Sequence, residues 1–137
     1  MTHYLLDTNH ASPLVTLSHP LRMLVLDAIQ SGDLFALTTV NLPEILLGLG
    51  TLPRAAQSKM EWTRLRPSFQ IYTIDEDDAM QAAELQIRLR RRGWHIGTVD
   101  ALLAVVAMRN DLILLTADRD FDGISELKHE NWLTSPP

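Results

Sequence analysis

The sequence contains no cysteine and few aromatic residues, which make up 6% of its 137 positions. Without cysteine, the chain has no disulfide framework, no thiolate metal site and no cysteine nucleophile. Its longest uninterrupted apolar run, residues 101–108, is far shorter than the ~18–20 residues that cross a bilayer. The N-terminus also lacks a basic start followed by an apolar stretch. We therefore expect a cytoplasmic protein with no membrane segment.

Apolar residues are nevertheless plentiful, at 46% of the chain. This content excludes a disordered chain, and the length predicts a single domain that covers residues 1–137. The 17 acidic residues outnumber the 12 basic residues, for a formal charge of -5. An acidic balance argues against a protein that merely coats nucleic acid, because such proteins normally carry a basic surface.

Short apolar segments alternate with helical segments along the chain. The predicted strands are residues 4–6, 34–37, 71–74, 112–115 and 131–133. Five helices are predicted. The first follows Pro20, the second begins at a capping Thr39 or Asn41, and the other three cover residues 54–66, 75–92 and 98–109. Thr98 is predicted to cap the last of them. Residues 7–9 are interpreted as a turn. This alternation predicts an α/β fold of parallel strands with helices on both faces.

Four acidic residues lie in or beside apolar segments, where a charge is costly to bury. They are Asp7, Glu44, Asp100 and Asp118. Ionised carboxylates are buried together only when a cation or bound protons neutralise them. Oxygen ligands without cysteine or a positioned histidine favour a hard cation, Mg²⁺ or Mn²⁺. One of the waters held by such an ion would serve as the nucleophile against a phosphodiester.

Each of these carboxylates also has an ordinary structural explanation. Asp7 and Asp118 are typical of turns, Asp100 suits the first turn of a helix, and Glu44 fits an exposed helix face. The metal-site interpretation therefore depends on all four together. The five histidines show no zinc spacing and are interpreted as surface or packing residues. These are His3, His10, His19, His95 and His129.

Four blocks of sequence occur in a characteristic order: residues 5–9 (LLDTN), 41–48 (NLPEILLG), 97–104 (GTVDALLA) and 114–121 (LLTADRDF). With these blocks the chain resembles the PIN-domain ribonucleases of the VapC toxin type over nearly its whole length. The resemblance implies a three-layer α/β/α fold with a central, mostly parallel sheet of about four or five strands. Pro43 is a departure, because the family more often has a small residue before the glutamate.

The resemblance also implies roles for particular residues. The catalytic, metal-binding acids correspond to Asp7, Glu44, Asp100 and Asp118, and Thr116 corresponds to a hydroxyl that lines the site. Asn9 and Asp120 match supporting positions. The implied activity is that of a Mg²⁺- or Mn²⁺-dependent endoribonuclease, the toxin of a toxin–antitoxin system. The implied partners are an RNA substrate, a cognate antitoxin protein that blocks the site, and a second copy in a homodimer.

Arginines cluster at the end of the predicted helix 75–92, namely Arg88, Arg90, Arg91 and Arg92. They fit a solvated helix end that complements the helix dipole, and they equally fit contacts to RNA phosphates. A second basic stretch, residues 54–66, has the same two interpretations.

Three other functions remain open from the sequence. A Mg²⁺-binding phosphoacceptor receiver module needs an acidic pair near its first strand and a lysine after a late strand, but Asp7 stands alone there. A calcium loop at residues 118–123 matches D-x-D-x-D-G, yet its twelfth position is His129 rather than glutamate. A catalytically silent PIN fold that binds another protein is the third.

Overall fold

The computed structural model describes residues 1–137, which form a layered structure around one β-sheet. Its strands are β1 His3–Leu6, β2 Leu34–Thr38, β3 Phe69–Tyr72, β4 Ile113–Leu115 and β5 His129–Glu130. Every pairing is parallel, and the spatial order of the strands is β3-β2-β1-β4-β5. The prediction of a mostly parallel sheet of four or five strands is confirmed.

Helices connect the strands. They are α1 Thr8–Ala11, α2 Pro20–Gln30, α3 Leu42–Thr51, α4 Ala55–Leu65, α5 Glu76–Arg90 and α6 Thr98–Arg109. Short 3-10 helices occupy Ser12–Val15, Arg66–Ser68 and Arg119–Gly123. None of the helices combines the length and the apolarity needed to span a membrane.

The side chains of the central strands alternate between two apolar cores, because successive residues of a strand point to opposite faces. Leu5 of β1 and Leu114 of β4 lie in the core shared with α5 and α6. Leu6 and Leu115 lie in the opposite core, which includes residues of α1 to α4. The sheet is therefore covered on both faces, as the predicted three-layer α/β/α fold requires.

Two predicted strands were wrong in position. The third strand was predicted at residues 71–74 and lies at Phe69–Tyr72, where Phe69 pairs with Phe35. Ile74 is apolar because it packs against the core on the α5 and α6 face, not because it pairs in the sheet. The last strand was predicted at residues 131–133 and lies at His129–Glu130, whose polar side chains suit an edge strand.

Several helix ends also differ from the predictions. Residues 7–9 were interpreted as a turn, and the structure has a single helical turn at Thr8–Ala11. The helix predicted to continue to Arg92 ends at Arg90, because Gly93 adopts a positive φ of 75° and turns the chain. Gly97, not Thr98, occupies the capping position of α6. Asn41 precedes α3, but its side chain makes no capping hydrogen bond.

Candidate metal centre

The carboxyl ends of β1 and β4 bring acidic residues together at one edge of the sheet. Asp7 directly follows β1, and its backbone N–H continues the ladder by donating to the Leu115 carbonyl (3.0 Å). Asp118 follows β4, the neighbouring strand. Asp100 reaches the same edge from the first turn of α6. Sites in open parallel sheets form at this edge.

Three carboxylates at this edge, two of them just described and the third from Asp120, are close enough to share one ion. Asp100, Asp118 and Asp120 each offer an oxygen, and these oxygens lie within 4.8 Å of one another. Asp120, assigned only a supporting role from the sequence, thus stands beside two of the predicted ligands. Its backbone N–H donates to the Asp118 carboxylate (2.9 Å), because Asp118 caps the 3-10 helix Arg119–Gly123.

The Asp7 carboxylate is buried and saturated with donors. The Thr116 hydroxyl donates to its Oδ2 (2.7 Å), and the Thr8 backbone N–H donates to its Oδ1 (2.7 Å). The Asn9 side-chain amide adds a longer bond to Oδ2 (3.3 Å). Asp7 and Glu44 lie outside the 4.8 Å group of the other three aspartates. These hydrogen bonds fix the direction of the Asp7 carboxylate beside the acidic group.

Thr116 connects two of the aspartates. While its hydroxyl donates to Asp7, the same oxygen accepts the Asp118 backbone N–H (3.0 Å). Thr116 is buried at the end of β4. It therefore holds the start of the Asp118 loop in register with the end of β1, which is consistent with the lining position expected for it.

Glu44 lies at the exposed rim of this edge. Its carboxylate accepts a hydrogen bond from the hydroxyl of Thr8 (3.1 Å), the residue that follows Asp7 in the chain. Of the two explanations that the sequence left open for Glu44, a costly buried position and an exposed helix face, the structure shows the second: the side chain is exposed at the start of α3. Its apolar neighbours mislead here, because Leu46 and Leu47 are also exposed.

Asn41, predicted only as a possible helix cap, is a structural residue of this edge. It is fully buried, and its amide donates to the Leu6 carbonyl (3.0 Å) while its oxygen accepts the Thr38 hydroxyl (2.8 Å). Asn41 thus joins the ends of β1 and β2 and sets where α3 begins. The signal available in the sequence is the polar pair Thr38 and Asn41, separated by the spacing of one turn at the end of an apolar strand.

Burial and nearby negative charges raise the pKa values of two aspartates at this edge, Asp100 and Asp7. Burial, together with the nearby charges of Asp7, Asp118 and Asp120, raises the pKa of Asp100 to about 7. Burial also raises the pKa of Asp7, with Asp118 and Glu44 adding to the rise and the donors Thr116 and Thr8 opposing it. A bound dication would remove this electrostatic cost. Carboxylate oxygens without sulfur or imidazole fit Mg²⁺ or Mn²⁺.

The arginine cluster lies beside the acidic loop, and two of its members are bound within the fold. Arg88 forms an ion pair with Glu126 (2.6 Å), and Arg92 donates to the Gly123 carbonyl (3.0 Å). Arg90 and Arg91 are exposed and make no ion pair. The Trp94 indole N–H donates to the Asp120 carbonyl (2.7 Å), which connects the segment after α5 to the acidic edge.

A family model for the PIN domain matches residues 4–127 of the chain. The chain belongs to the PIN domain family. The predicted membership is thus confirmed. A search of curated protein sequences gave no match.

Solved structures share the fold of this PIN-domain chain. A chain of VapBC2 from Rickettsia felis, bound to a promoter DNA fragment, is 23% identical with a TM-score of 0.79, covering 95% of this chain and 98% of that one. A chain of VapBC-5 from Mycobacterium tuberculosis, of the VapBC family of toxin–antitoxin systems, is 24% identical (TM-score 0.66; 96% and 99% covered).

A third related structure is VapC20 from Mycobacterium tuberculosis, described as a sarcin-ricin loop cleaving toxin. It is 17% identical to this PIN-domain chain, with a TM-score of 0.64, and the match covers 87% of this chain and 92% of that one. At these identities the likeness establishes a common fold.

Two of the other interpretations disagree with the structure. A receiver-type module has the strand order 2-1-3-4-5, whereas this sheet has the order β3-β2-β1-β4-β5. A calcium loop would turn Asp122 toward Asp118 and Asp120, but its carboxylate instead lies against Arg119 (3.6 Å) and His129 (3.7 Å). Neither a receiver module nor a calcium loop is therefore formed.

Proposed function

We propose that this PIN-domain chain is a Mg²⁺- or Mn²⁺-dependent endoribonuclease and the toxin of a toxin–antitoxin pair that acts in the cytoplasm. The observation that carries the proposal is the convergence of Asp100, Asp118 and Asp120 within 4.8 Å at the carboxyl edge of the sheet. RNA as the substrate is supported by VapC20, a toxin of the same fold that is described as cleaving the sarcin-ricin loop.

In this proposal the aspartates divide the work of holding the ion. Asp7, Asp100 and Asp118 would bind it directly, with Asp120 beside them and Glu44 at the open rim. When bound, such an ion would supply positive charge for the phosphodiester and an activated water for in-line attack on phosphorus. Hydrolysis of this kind would break the bond from phosphorus to the 3′ oxygen and leave 5′-phosphate and 3′-hydroxyl ends. Thr116 and Thr8 keep the Asp7 carboxylate oriented throughout.

The exposed arginines at the C-terminal end of α5, Arg90 and Arg91, would hold the RNA backbone. Arg90 and Arg91 make no ion pair within the chain, so their guanidinium groups are available for phosphates. Arg88 and Arg92 are already engaged with Glu126 and Gly123, and they would contribute mainly to the local positive potential.

Cleavage of end-labelled structured RNAs tests this function. The purified protein should cut RNA when Mn²⁺ is present and not when a chelator removes it. Asp100→Asn should lower the rate by about 100-fold or more, because it removes a charged ligand from the centre of the cluster. The matched control is Asp122→Asn, a neighbouring exposed aspartate whose carboxylate faces Arg119 and His129. Its rate should stay within about threefold of the unaltered protein.

Cutting that persists in chelator, or that survives Asp100→Asn, would exclude the metal-dependent mechanism. A protein that binds an antitoxin but cuts no RNA under any condition would instead be a silent PIN fold that serves as a binding module.

The cognate antitoxin is the second partner in this proposal, supported by the VapBC complexes that share the fold. A groove of about 630 Å³ lies between residues 15–18 and α4 and suits a segment of such a partner. Leu17 and Met60 are exposed in it, and Arg54 and Arg64 stand at its sides. Glu61 also lines the groove, but its carboxylate is already paired with Arg22 (2.6 Å) and Arg64 (3.6 Å). This pattern favours an amphipathic segment that carries acidic residues.

Co-expression with the protein encoded immediately upstream tests the partner. That protein should co-purify and suppress RNA cleavage, and Met60→Glu should weaken its binding because it places a negative charge in the groove. Binding that is unchanged by Met60→Glu would exclude this groove as the contact surface.

A homodimer is also part of the proposal. Leu46 and Leu47 lie exposed on α3, with 44% and 69% of their surface accessible, so this helix presents an unpartnered apolar face. Light scattering should give the mass of a dimer, and Leu47→Glu should give a monomer. A monomer for the unaltered chain would exclude the dimer.

A further inference from the structure

A buried histidine connects the acidic edge to the C-terminal part of the chain. His10 is completely buried in α1, and its ring makes two hydrogen bonds. The Trp132 backbone N–H donates to Nε2 (3.1 Å), and Nδ1 lies 2.7 Å from the Asn9 side-chain oxygen. Since Nε2 accepts a hydrogen bond, the proton of the neutral ring is on Nδ1, which donates to Asn9. Burial lowers the pKa of His10 to about 4, so the ring is neutral near neutral pH.

The hydrogen bond from His10 decides which way the Asn9 amide faces. Asn9 Oδ1 accepts from His10 and also from the Ala117 backbone N–H (3.1 Å). With the oxygen held by these two donors, the Asn9 NH₂ group points at Asp7 Oδ2 (3.3 Å). A flipped amide would place its oxygen against the Asp7 carboxylate and its NH₂ group against two donors, which is electrostatically unfavourable.

The other end of this hydrogen-bond chain is fixed by aromatic packing. The Trp132 ring makes edge contacts with Tyr4 and Phe35, at centroid distances of 4.9 and 6.0 Å. Its indole N–H donates to Glu130 (2.9 Å), at the end of β5. The backbone N–H that reaches His10 therefore belongs to a residue that is held in place on three sides.

We propose that His10 is a positioning residue for the metal centre, acting through Asn9 to fix the orientation of the Asp7 carboxylate. The proposal deepens the proposed function and rests on it for the role of Asp7. Nothing in the sequence pattern of four acids points to His10, and it contacts none of them directly. Its effect is on the geometry of the site, carried by two successive hydrogen bonds.

Measurements on the full chain test this directly. Nitrogen NMR of histidine-labelled protein near neutral pH should show the His10 ring protonated on Nδ1 and not on Nε2. Calorimetric titration with Mn²⁺ should show His10→Leu binding about 10–100-fold more weakly than the unaltered protein. His10→Gln, which keeps one donor and one acceptor, should recover most of that loss.

A double-mutant cycle with Asn9→Ala separates positioning from general destabilisation. If His10 acts through Asn9, His10→Leu should weaken Mn²⁺ binding by less than about threefold once Asn9 is alanine. Val25→Ala is the control, a buried substitution in α2 that lowers stability away from the acidic edge and should leave Mn²⁺ affinity unchanged.

Three results would overturn the proposal: a ring protonated on Nε2, an equal loss of affinity with and without Asn9, or the same loss in Val25→Ala. If the unaltered protein does not bind Mn²⁺, the proposed metal centre fails, and His10 is then judged by the ring tautomer and the Asn9 amide shifts in His10→Gln. If His10→Leu does not fold, the ring tautomer of His10 and the Asn9 amide shifts in His10→Gln test the positioning role instead.

Discussion

The Thr116 hydroxyl shows how one small side chain organises the acidic edge. It donates to Asp7 and accepts from the Asp118 backbone, so it joins the ends of β1 and β4 at the point where two proposed ligands leave the sheet. A valine at this position has the same shape but neither hydrogen bond. The buried Asp7 carboxylate then loses its shortest side-chain donor, and the Asp118 loop loses its first contact.

We predict that Thr116→Val lowers kcat/KM for RNA cleavage by about 10–100-fold, because residues that orient metal ligands have effects of this size. Thr63→Val is the control, since the Thr63 hydroxyl bonds only to the Lys59 carbonyl on the exposed side of α4. Both variants should unfold within a few degrees of the unaltered protein. Equal activity of the two variants would contradict the bridging role of Thr116.

His10 makes a prediction about acid stability. Its pKa is about 4 in the folded chain and ordinarily 6.5, so the unfolded chain binds the proton more tightly. Above pH ~6.5 the ring is neutral in both states, and His10 costs the folded chain no stability. As pH falls from there toward ~4, the unfolded chain takes up the proton first, so the free energy of unfolding decreases. The loss approaches about 2 kcal/mol at pH ~5, relative to neutral pH.

Urea unfolding of the unaltered chain and His10→Gln at both pH values measures this contribution. The unaltered chain should lose about 2 kcal/mol more than His10→Gln between neutral pH and pH ~5. If the free energy of unfolding falls by the same amount in the two chains, His10 is not a buried neutral group in the folded protein.

At the scale of elements, the loop that carries Asp118 and Asp120 depends on a contact between Gly123 and Trp94. A Cβ atom added at Gly123 would overlap the Trp94 indole ring, which lies directly over the glycine. The same ring donates to the Asp120 carbonyl. The segment after α5 thus holds the 3-10 helix Arg119–Gly123 against the sheet.

We predict that Gly123→Ala destabilises the chain by about 1–3 kcal/mol, because the overlap forces the indole or the backbone to move. It should also slow RNA cleavage, since Asp120 moves with the loop. Gly48→Ala is the matched control: it has open space around it in α3, and alanine there should stabilise the helix by up to about 1 kcal/mol. If Gly123→Ala leaves the free energy of unfolding in urea unchanged, the Trp94 ring does not pack directly on Gly123.

The elements that could be predicted from sequence are those whose own residues carry a complete signal. Helix α5 has acids in its first turn, a reciprocal bond between Asp75 and Asp78 at its start, and arginines at its end. The strands β1, β2 and β4 are short, apolar and bounded by polar residues. By contrast, β3 and β5 owe their positions to pairing with β2 and β4, which local sequence does not encode.

The site divides in the same way. The acidic residues could be picked out because a carboxylate beside an apolar segment is unusual. The contacts by which Asn41 and His10 arrange them could not be predicted, since these contacts join residues 35 and 122 positions apart along the chain. Glu44 is the reverse case, because its apolar neighbours left burial open on a helix face that is in fact exposed.

For the whole molecule, the acidic cluster that would bind the metal lowers the stability of the metal-free chain. Part of the net charge of -5 is concentrated at one edge of the sheet, where burial and like charges raise the pKa of Asp100 to about 7. Without a cation, this crowding opposes folding increasingly as pH rises from 3.8, the ordinary pKa of an aspartate, to about 7, and fully above that. The reason is that the ionised Asp100 is disfavoured in the folded state. Removing the charge should therefore stabilise the metal-free chain.

We predict that Asp100→Asn, without metal at pH ~8, is more stable than the unaltered chain by about 1–2 kcal/mol after allowance for its partial exposure to solvent. Mn²⁺ should reverse this order, since a cation at 100 times its Kd adds about 2.7 kcal/mol to the chain that binds it. Urea unfolding with and without Mn²⁺ measures both effects. If the unaltered chain is more stable than Asp100→Asn in the absence of Mn²⁺, charge crowding at Asp100 does not destabilise the fold.

The most direct test of the central claim is a crystal structure of the chain grown with Mn²⁺, with anomalous diffraction recorded at the manganese absorption edge. The account predicts a manganese peak in contact with Asp7, Asp100 and Asp118, beside Asp120, and no peak there in Asp100→Asn. A manganese peak elsewhere, or none at saturating Mn²⁺ in the unaltered chain, would contradict it.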